Sequence, residues 1–203
     1  MAEAIYNELS QMEGFAALTE ETKELFKNAC SQQNSDNKSI KFTTHQANNL
    51  FCDGALESPD FAKFLNFFDD VSIDISYTSK VFSPLFNIIQ KLKEKEVQKL
   101  KITLIFTGVK DIGTQFQGNK NINAIKIYSS VTTIKASAFS NCTSLNEAIL
   151  SEALTEIKDN TFQHCISLAQ IEIPSSVTKI GKSAFQECEA LKEVTISPST
   201  TAI

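Results

Sequence analysis

The sequence lacks several features that would assign a protein to a functional class at once. It has no basic excess, since 19 Lys and Arg stand against 24 Asp and Glu and the formal net charge is -5. Nucleic acid is therefore not expected as a partner. It has no run of 18 apolar residues, so no membrane span is predicted. Its first residues show no basic region followed by an apolar stretch, and we predict no signal peptide.

Motifs of catalysis and cofactor binding are also missing. The sequence contains no P-loop and no dinucleotide-binding fingerprint, and Asp69, Asp70 and Asp74 are too irregular for a calcium loop. His45 and Cys52 could share a helix face as a nucleophile pair, but packing explains such a spacing more often. We therefore expect a protein that is not an enzyme and has no cofactor or metal. A cysteine hydrolase is the remote alternative.

The number of cysteines favours a reducing compartment. Five is an odd number, and the spacing is not that of a small disulfide-stapled scaffold. We therefore predict a cytoplasmic protein, with the cell surface as the alternative location.

An internal repeat of 23 residues occupies the C-terminal half. Three segments, which begin at Val131, Leu154 and Val177, align without gaps. The shared positions are Ile134, Ile157 and Ile180, then Phe139, Phe162 and Phe185, then Cys142, Cys165 and Cys188, then Leu145, Leu168 and Leu191. Each unit closes on an apolar pair at spacing two, which predicts a short strand with one face inward. One unit cannot enclose its own apolar face, but stacked units cover one another. The repeat therefore predicts a solenoid with a parallel sheet on one side and a column of Phe on the other.

A degenerate fourth copy precedes these three. It has Phe116, Asn119 and Ile122 where the next copy has Phe, Cys and Leu. Its first part is one residue shorter, because Ile112 lies only four residues before Phe116. Both departures suit a copy near a boundary.

These residues resemble the BspA-like, or Treponema-type, leucine-rich repeat over about residues 109–203. The third copy matches best, with Ile180-Gly181, Ala184-Phe185, Cys188 and Leu191, whereas Lys135 and Lys158 replace the usual Gly in the other copies. The resemblance implies a leucine-rich-repeat solenoid whose cysteines point inward as small fillers. A column of cysteines gives a row rather than four ligands around one point, so we expect buried free thiols and no zinc site. Members of this family are known as bacterial surface adhesins and as a large, mostly uncharacterised set in protists.

The N-terminal half, residues 1–106, does not show the 23-residue unit. Residues 2–12 and 18–30 read as helices, and short strands are predicted at Ile40–Phe42, Ile73–Ile75 and Ile102–Phe106. The Ser-Pro pairs at 58–59 and 83–84 open further helices between the strands. We infer an α/β solenoid that begins near Ile40, bears helices on its convex side, and has residues 2–30 as a helical N-terminal cap. A separate small α+β domain is the alternative, and residues 107–203 form the BspA-like part in either case.

The outward side chains of the strands are the candidates for binding a partner. They lie between and beside the inward apolar pairs on a face that should be wet, where exposed apolar groups often mark a contact. The predicted partner-binding residues are Lys126, Tyr128, Glu147, Ile149, Gln170, Glu172, Glu193 and Thr195, with Ser151 beside them. Strand-forming residues without a binding role are the alternative reading.

The predicted function is that of an intracellular scaffold for protein–protein interaction or structure, built on leucine-rich repeats. A cell-surface adhesin of the BspA type is the alternative. The expected partners are proteins of unknown identity. The sequence begins another copy at Thr200 without its Phe or strand, so we also expect the strand at Val194–Ile196 to be covered by further repeats, self-association or a partner.

Overall fold

The structure, a computed structural model, describes residues 101–200 throughout. Before them it describes two strands and the positions 6–7, 10–11, 16, 20, 23–24 and 27–28. The described part contains ten strands: β1 (Ser39–Thr43), β2 (Asp70–Ile75), β3 (Lys101–Phe106), β4 (Asp111–Ile112), β5 (Ile122–Ile127), β6 (Thr133–Ile134), β7 (Glu147–Ile149), β8 (Glu156–Ile157), β9 (Gln170–Glu172) and β10 (Lys179–Ile180).

Six of these strands form one parallel sheet in the order β1-β2-β3-β5-β7-β9. The strands predicted at Ile40, Ile73 and Ile102 are present and pair in sequence with one another. β3 then pairs with β5 through Leu104 and Ile125, so the sheet runs across the predicted boundary at residues 106–107. The parallel solenoid is confirmed, while the division into two regions stays a prediction.

The helices predicted for the N-terminal half fall largely outside the described residues. Several described positions before residue 30 have helical backbone, but no helix with defined ends lies in the described part of the chain. The helical cap is therefore not confirmed. The segments opened by the Ser-Pro pairs at 58–59 and 83–84, and the pair His45 and Cys52, lie outside the described residues.

The second side of the solenoid is built from very short parallel pairs. Ile112 pairs with Ile134, and Ile157 pairs with Ile180. The first of these pairings spans 22 residues, as the shortened fourth copy requires.

Over the described residues the third side has no strands, and its turns are joined by hydrogen bonds between copies. The backbone nitrogen of Phe139 donates to the carbonyl of Thr161, and that of Phe162 donates to the carbonyl of Ala184. In these turns the backbone is left-handed at two positions of the repeat. The residues at each position form a column along the solenoid. One column is Ser137, Asn160 and Ser183, and the other is Gly118, Asn141, His164 and Glu187.

The core between these sides is the predicted column of phenylalanines. The rings of Phe139 and Phe162 lie 5.7 Å apart and nearly parallel, at 5°, and both side chains are fully buried. Phe116 and Phe185 extend the stack on either side at 5.6 and 5.7 Å. Phe106 of β3 meets Phe116 edge-on at 5.6 Å, which closes the column against the sheet.

The predicted strand at Val194–Ile196 is absent from the sheet. Residues 191–197 have no strand pairing, and within the described residues β9 is the last strand of the six-stranded sheet. The apolar side chains in this segment are poorly covered, since Leu191 and Val194 are half-buried and Ile196 is 38% exposed. The equivalents of Leu191 in the preceding copies, Leu145 and Leu168, are fully buried. The segment therefore has little buried area to hold it in register, and what covers it stays a prediction.

Candidate functional site

The outward face of the sheet is formed by side chains that the parallel register aligns in rows. Lys126 of β5 pairs with Ile149 of β7, which pairs with Glu172 of β9. Glu147 and Gln170 are partners in the next row. The row predicted from the sequence is therefore present on the three strands. Thr195 and Glu193, predicted to extend these rows, are exposed but lie in the segment without a strand.

The solvent exposure of the side chains varies along this face, in contrast to the expectation of a uniformly exposed surface. At β3 the outward residues Thr103 and Ile105 are only 5% and 9% exposed. At β5 and β7 the row members Lys126 and Ile149 are half-buried, and at β9 Glu172 is exposed. The accessible part of the face is therefore its β5–β9 end.

Tyr128 is the most exposed large apolar residue described, at 51%. It follows β5 directly, and its backbone nitrogen donates a 3.1 Å hydrogen bond to the carbonyl of Phe106, so its position is fixed by the sheet. Its carbonyl then accepts from Val131, and the same turn recurs from Ser151 to Leu154 and from Pro174 to Val177. These turns place Tyr128 at the carboxyl ends of the strands, beside Ile149.

Ser151 does not belong to this accessible surface. The sequence placed it beside Tyr128 as an outward residue, but it is only 1% exposed. Its hydroxyl accepts a hydrogen bond from the backbone nitrogen of Ala153, which turns the side chain into the bend after β7. The prediction for Ser151 was wrong because the side chain serves its own turn.

A groove that the sequence did not reveal adjoins these residues. It encloses about 550 Å³ where β5, β7 and β9 end. Its lining includes Tyr128, Ile149, Leu150, Glu152, Glu172 and Ile173. The groove brings together three of the predicted binding residues and adds turn residues from successive copies. These turn positions share no residue type, so the repeat pattern does not identify them. In the sequence, only Tyr128, an apolar residue in a turn, indicated a contact surface here.

The cysteine column lies inside the solenoid, away from this face. Cys142, Cys165 and Cys188 are buried free thiols, as predicted. Each donates to the carbonyl of a Phe in the copy before, over distances of 3.1 to 3.2 Å. In the fourth copy Asn119 takes this place, and its Oδ1 accepts from the backbone nitrogens of Asn121 and Ile122.

Burial controls the acidity of these thiols. It raises the pKa of Cys142 to about 12 and outweighs the lowering effect of a hydrogen bond from the backbone of Asn119. The pKa values of Cys165 and Cys188 are raised for the same reason. A thiol that stays protonated is a poor nucleophile and a poor metal ligand. Within the described residues no group of three or more His, Cys, Asp or Glu is placed to hold a metal.

The polar groups on the other sides form ladders between copies. His164 Nδ1 lies 2.7 Å from Glu187 Oε2, and Lys179 Nζ lies 2.7 Å from Glu156 Oε1. Both pairs are exposed and join residues 23 positions apart. They connect neighbouring copies, and none of the four residues lines the groove. No helix in the described part of the chain is long and apolar enough to cross a membrane.

One parallel strand per copy, a buried aromatic column and turns linked between copies define a leucine-rich-repeat solenoid. Residues 110–203 match the family model described as the BspA type leucine rich repeat region (6 copies). This match confirms the resemblance seen in the sequence over about residues 109–203.

Three solved structures are similar to parts of this chain. A leucine rich repeat protein of T. pallidum is 31% identical, with 51% of each chain covered and a TM-score of 0.49. A leucine-rich repeat protein from Bacteroides ovatus is 26% identical over 62% of this chain and 34% of its own, with a TM-score of 0.44. One from Eubacterium ventriosum is 22% identical over 63% and 32%, with a TM-score of 0.44. The chain thus spans about half or less of the length of these proteins. No curated protein matches it.

Proposed function

We propose that the chain is a non-catalytic scaffold that binds another protein through the outward face of its parallel sheet. The observation that carries this proposal is the row Lys126, Ile149 and Glu172, aligned in register beside the half-exposed Tyr128. Aromatic and aliphatic side chains that stay accessible on a rigid surface are typical of the centre of a protein interface. The proposed contact residues are Lys126, Tyr128, Glu147, Ile149, Gln170 and Glu172, with Glu193 and Thr195 beyond them.

The architecture supports a binding role in preference to catalysis. The sheet and the stacked Phe column hold the face rigidly, so little side-chain and loop ordering is needed when a partner binds. The thiols of the described part are buried and protonated, and His164 lies on another side of the solenoid next to Glu187.

Quantitative co-purification from the native source tests the proposal. The full chain is immobilised as wild type, as Tyr128→Ala, as Ile149→Ala and as Lys135→Ala, and captured proteins are quantified by mass spectrometry. Lys135 is exposed and follows β6 on the second side, so its variant is the control. We expect at least one protein that is lost with both face variants and kept with the control. A captured set that is the same for all four baits would refute the proposal.

For location, we propose the cytoplasm, supported by the odd number of cysteines and by the buried, unpaired position of Cys142, Cys165 and Cys188. Protease added to intact cells distinguishes this from the cell surface. Resistance to cleavage until the cells are lysed is expected, whereas cleavage on intact cells would favour an adhesin.

A further inference from the structure

The groove at the carboxyl ends of β5, β7 and β9 combines an apolar strip with negative charge. Its apolar strip consists of Tyr128, Ile149 and Ile173, of which Tyr128 is 51% exposed and the other two are half-buried. An apolar side chain of a partner would remove this strip from water. Because the strip crosses three strands, it suits a segment that runs across the strand ends.

The charge in the groove comes from Glu152 and Glu172. Both residues are exposed, and neither carboxylate forms an ion pair or hydrogen bond within the described part of the chain. None of the described residues that line the groove is Lys or Arg. Lys126 shares a row with Glu172 but lies two strands away, about 10 Å at ordinary strand spacing. Among the described residues the two carboxylates are therefore unpaired.

We propose that the groove binds a protein segment in which an apolar side chain is flanked by Lys or Arg. The inference rests on the proposed protein-binding role of this face and adds the chemistry of the partner. Positive side chains on the segment would meet Glu152 and Glu172 while its apolar side chain covers Tyr128 and Ile149. Complementary charge of this kind speeds association and selects partners. Phosphates of nucleic acids or anionic membranes would instead be repelled.

A displayed library of random dodecapeptides tests the proposal with the full chain as bait. Selection is run on the wild type, on the double variant Glu152→Gln/Glu172→Gln, and on a control, Asp111→Asn/Glu189→Gln. The control removes the same amount of charge from two exposed residues outside the groove. We expect the wild type and the control to enrich peptides with Lys or Arg next to an apolar residue. The groove variant should lose that preference.

The strongest wild-type peptide is then measured by fluorescence anisotropy against all three proteins. Two exposed charge pairs predict that the groove variant binds it about 2- to 30-fold more weakly, and that wild-type affinity falls with added salt. The proposal is overturned if no peptide is enriched, if enriched peptides lack basic residues, or if the groove variant binds within twofold of the wild type. Peptides that need Tyr128 but show no basic preference would overturn this inference and leave the proposed function standing.

Discussion

The thiol of Cys165 donates a 3.2 Å hydrogen bond to the backbone carbonyl of Phe139, 26 residues earlier in the chain. The carbonyl belongs to the preceding copy, so the bond crosses the boundary between two stacked units. The cysteine is small enough to fill the space beneath the Phe column and polar enough to satisfy a carbonyl there. This explains why the repeat has cysteine at this position without forming a disulfide or metal site.

The first prediction is that Cys142, Cys165 and Cys188 do not react in the native protein. Burial shields the sulfurs and keeps them protonated. Iodoacetamide labelling, mapped to each cysteine by mass spectrometry, should modify all three only after urea is added. Rapid native labelling at all three positions would show that the column is open to solvent.

The second prediction concerns stability in alkali. Burial raises the pKa of Cys142 from 9.0 to about 12 in the folded protein. The unfolded thiol therefore ionises first, so its contribution to stability is fully present below pH 9 and is lost as the pH rises from 9 to 12. When the pH is raised from about 8 to about 10, the free energy of unfolding should fall in both proteins. The fall should be ~1 kcal/mol smaller for Cys142→Ala than for the wild type. Urea titrations at the two pH values measure this, and equal losses would contradict it.

The third prediction tests the aromatic column. Phe162 is fully buried between Phe139 and Phe185, with both ring distances 5.7 Å. Phe162→Ala should lower the free energy of unfolding by about 3–5 kcal/mol in a urea titration. Phe185→Ala is the matched control and should cost less, because Phe185 is only half-buried. A loss below ~1 kcal/mol for Phe162→Ala would mean that the ring is not part of a packed core.

The fourth prediction tests the close approach of two copies at Gly181. A Cβ atom there would lie 2.5 Å from the backbone nitrogen of Asp159 in the preceding copy. Backbone cannot move aside as a flexible side chain can, so Gly181→Ala should destabilise by about 1–3 kcal/mol. Gly113 occupies the equivalent position in the fourth copy, because it follows Ile112, which pairs with Ile134. A Cβ atom at Gly113 would contact only the side chain of Gln115 among the described residues. Gly113→Ala should therefore melt close to the wild type in a thermal scan, and an equal drop in melting temperature for both variants would contradict the account.

The features that could be predicted from the sequence are those in which buried side chains recur. The columns of Phe139 and Cys142, and the inward pair Ala148 and Leu150, repeat because each copy covers the next with the same side chains. Their 23-residue spacing also fixed the register of the outward row through Ile149, since side chains alternate along a strand. The short fourth copy at Ile112 was predicted for the same reason.

Backbone conformation and turn packing could not be predicted in this way. Gly118, Asn141, His164 and Glu187 share a left-handed backbone but no side-chain type, so they do not align as a motif. Only the Gly and Asn in that column are residues that commonly adopt this conformation.

The groove was missed because its turn residues, such as Glu152 and Pro174, come from different copies and differ in chemistry. The strand at Val194 was predicted from the repeat pattern, but residues 191–197 make no strand pairing and Ile196 is 38% exposed.

Site-specific photo-cross-linking is a direct test of whether the outward sheet face binds a protein. Benzoylphenylalanine is introduced at Tyr128, at Ile149 and, as a control, at Lys135, and each full-length chain is irradiated in extract from the native source. We expect a discrete cross-linked protein from Tyr128 and from Ile149, and none from Lys135. Cross-links that form only at Lys135, or equally at all three positions, would contradict it.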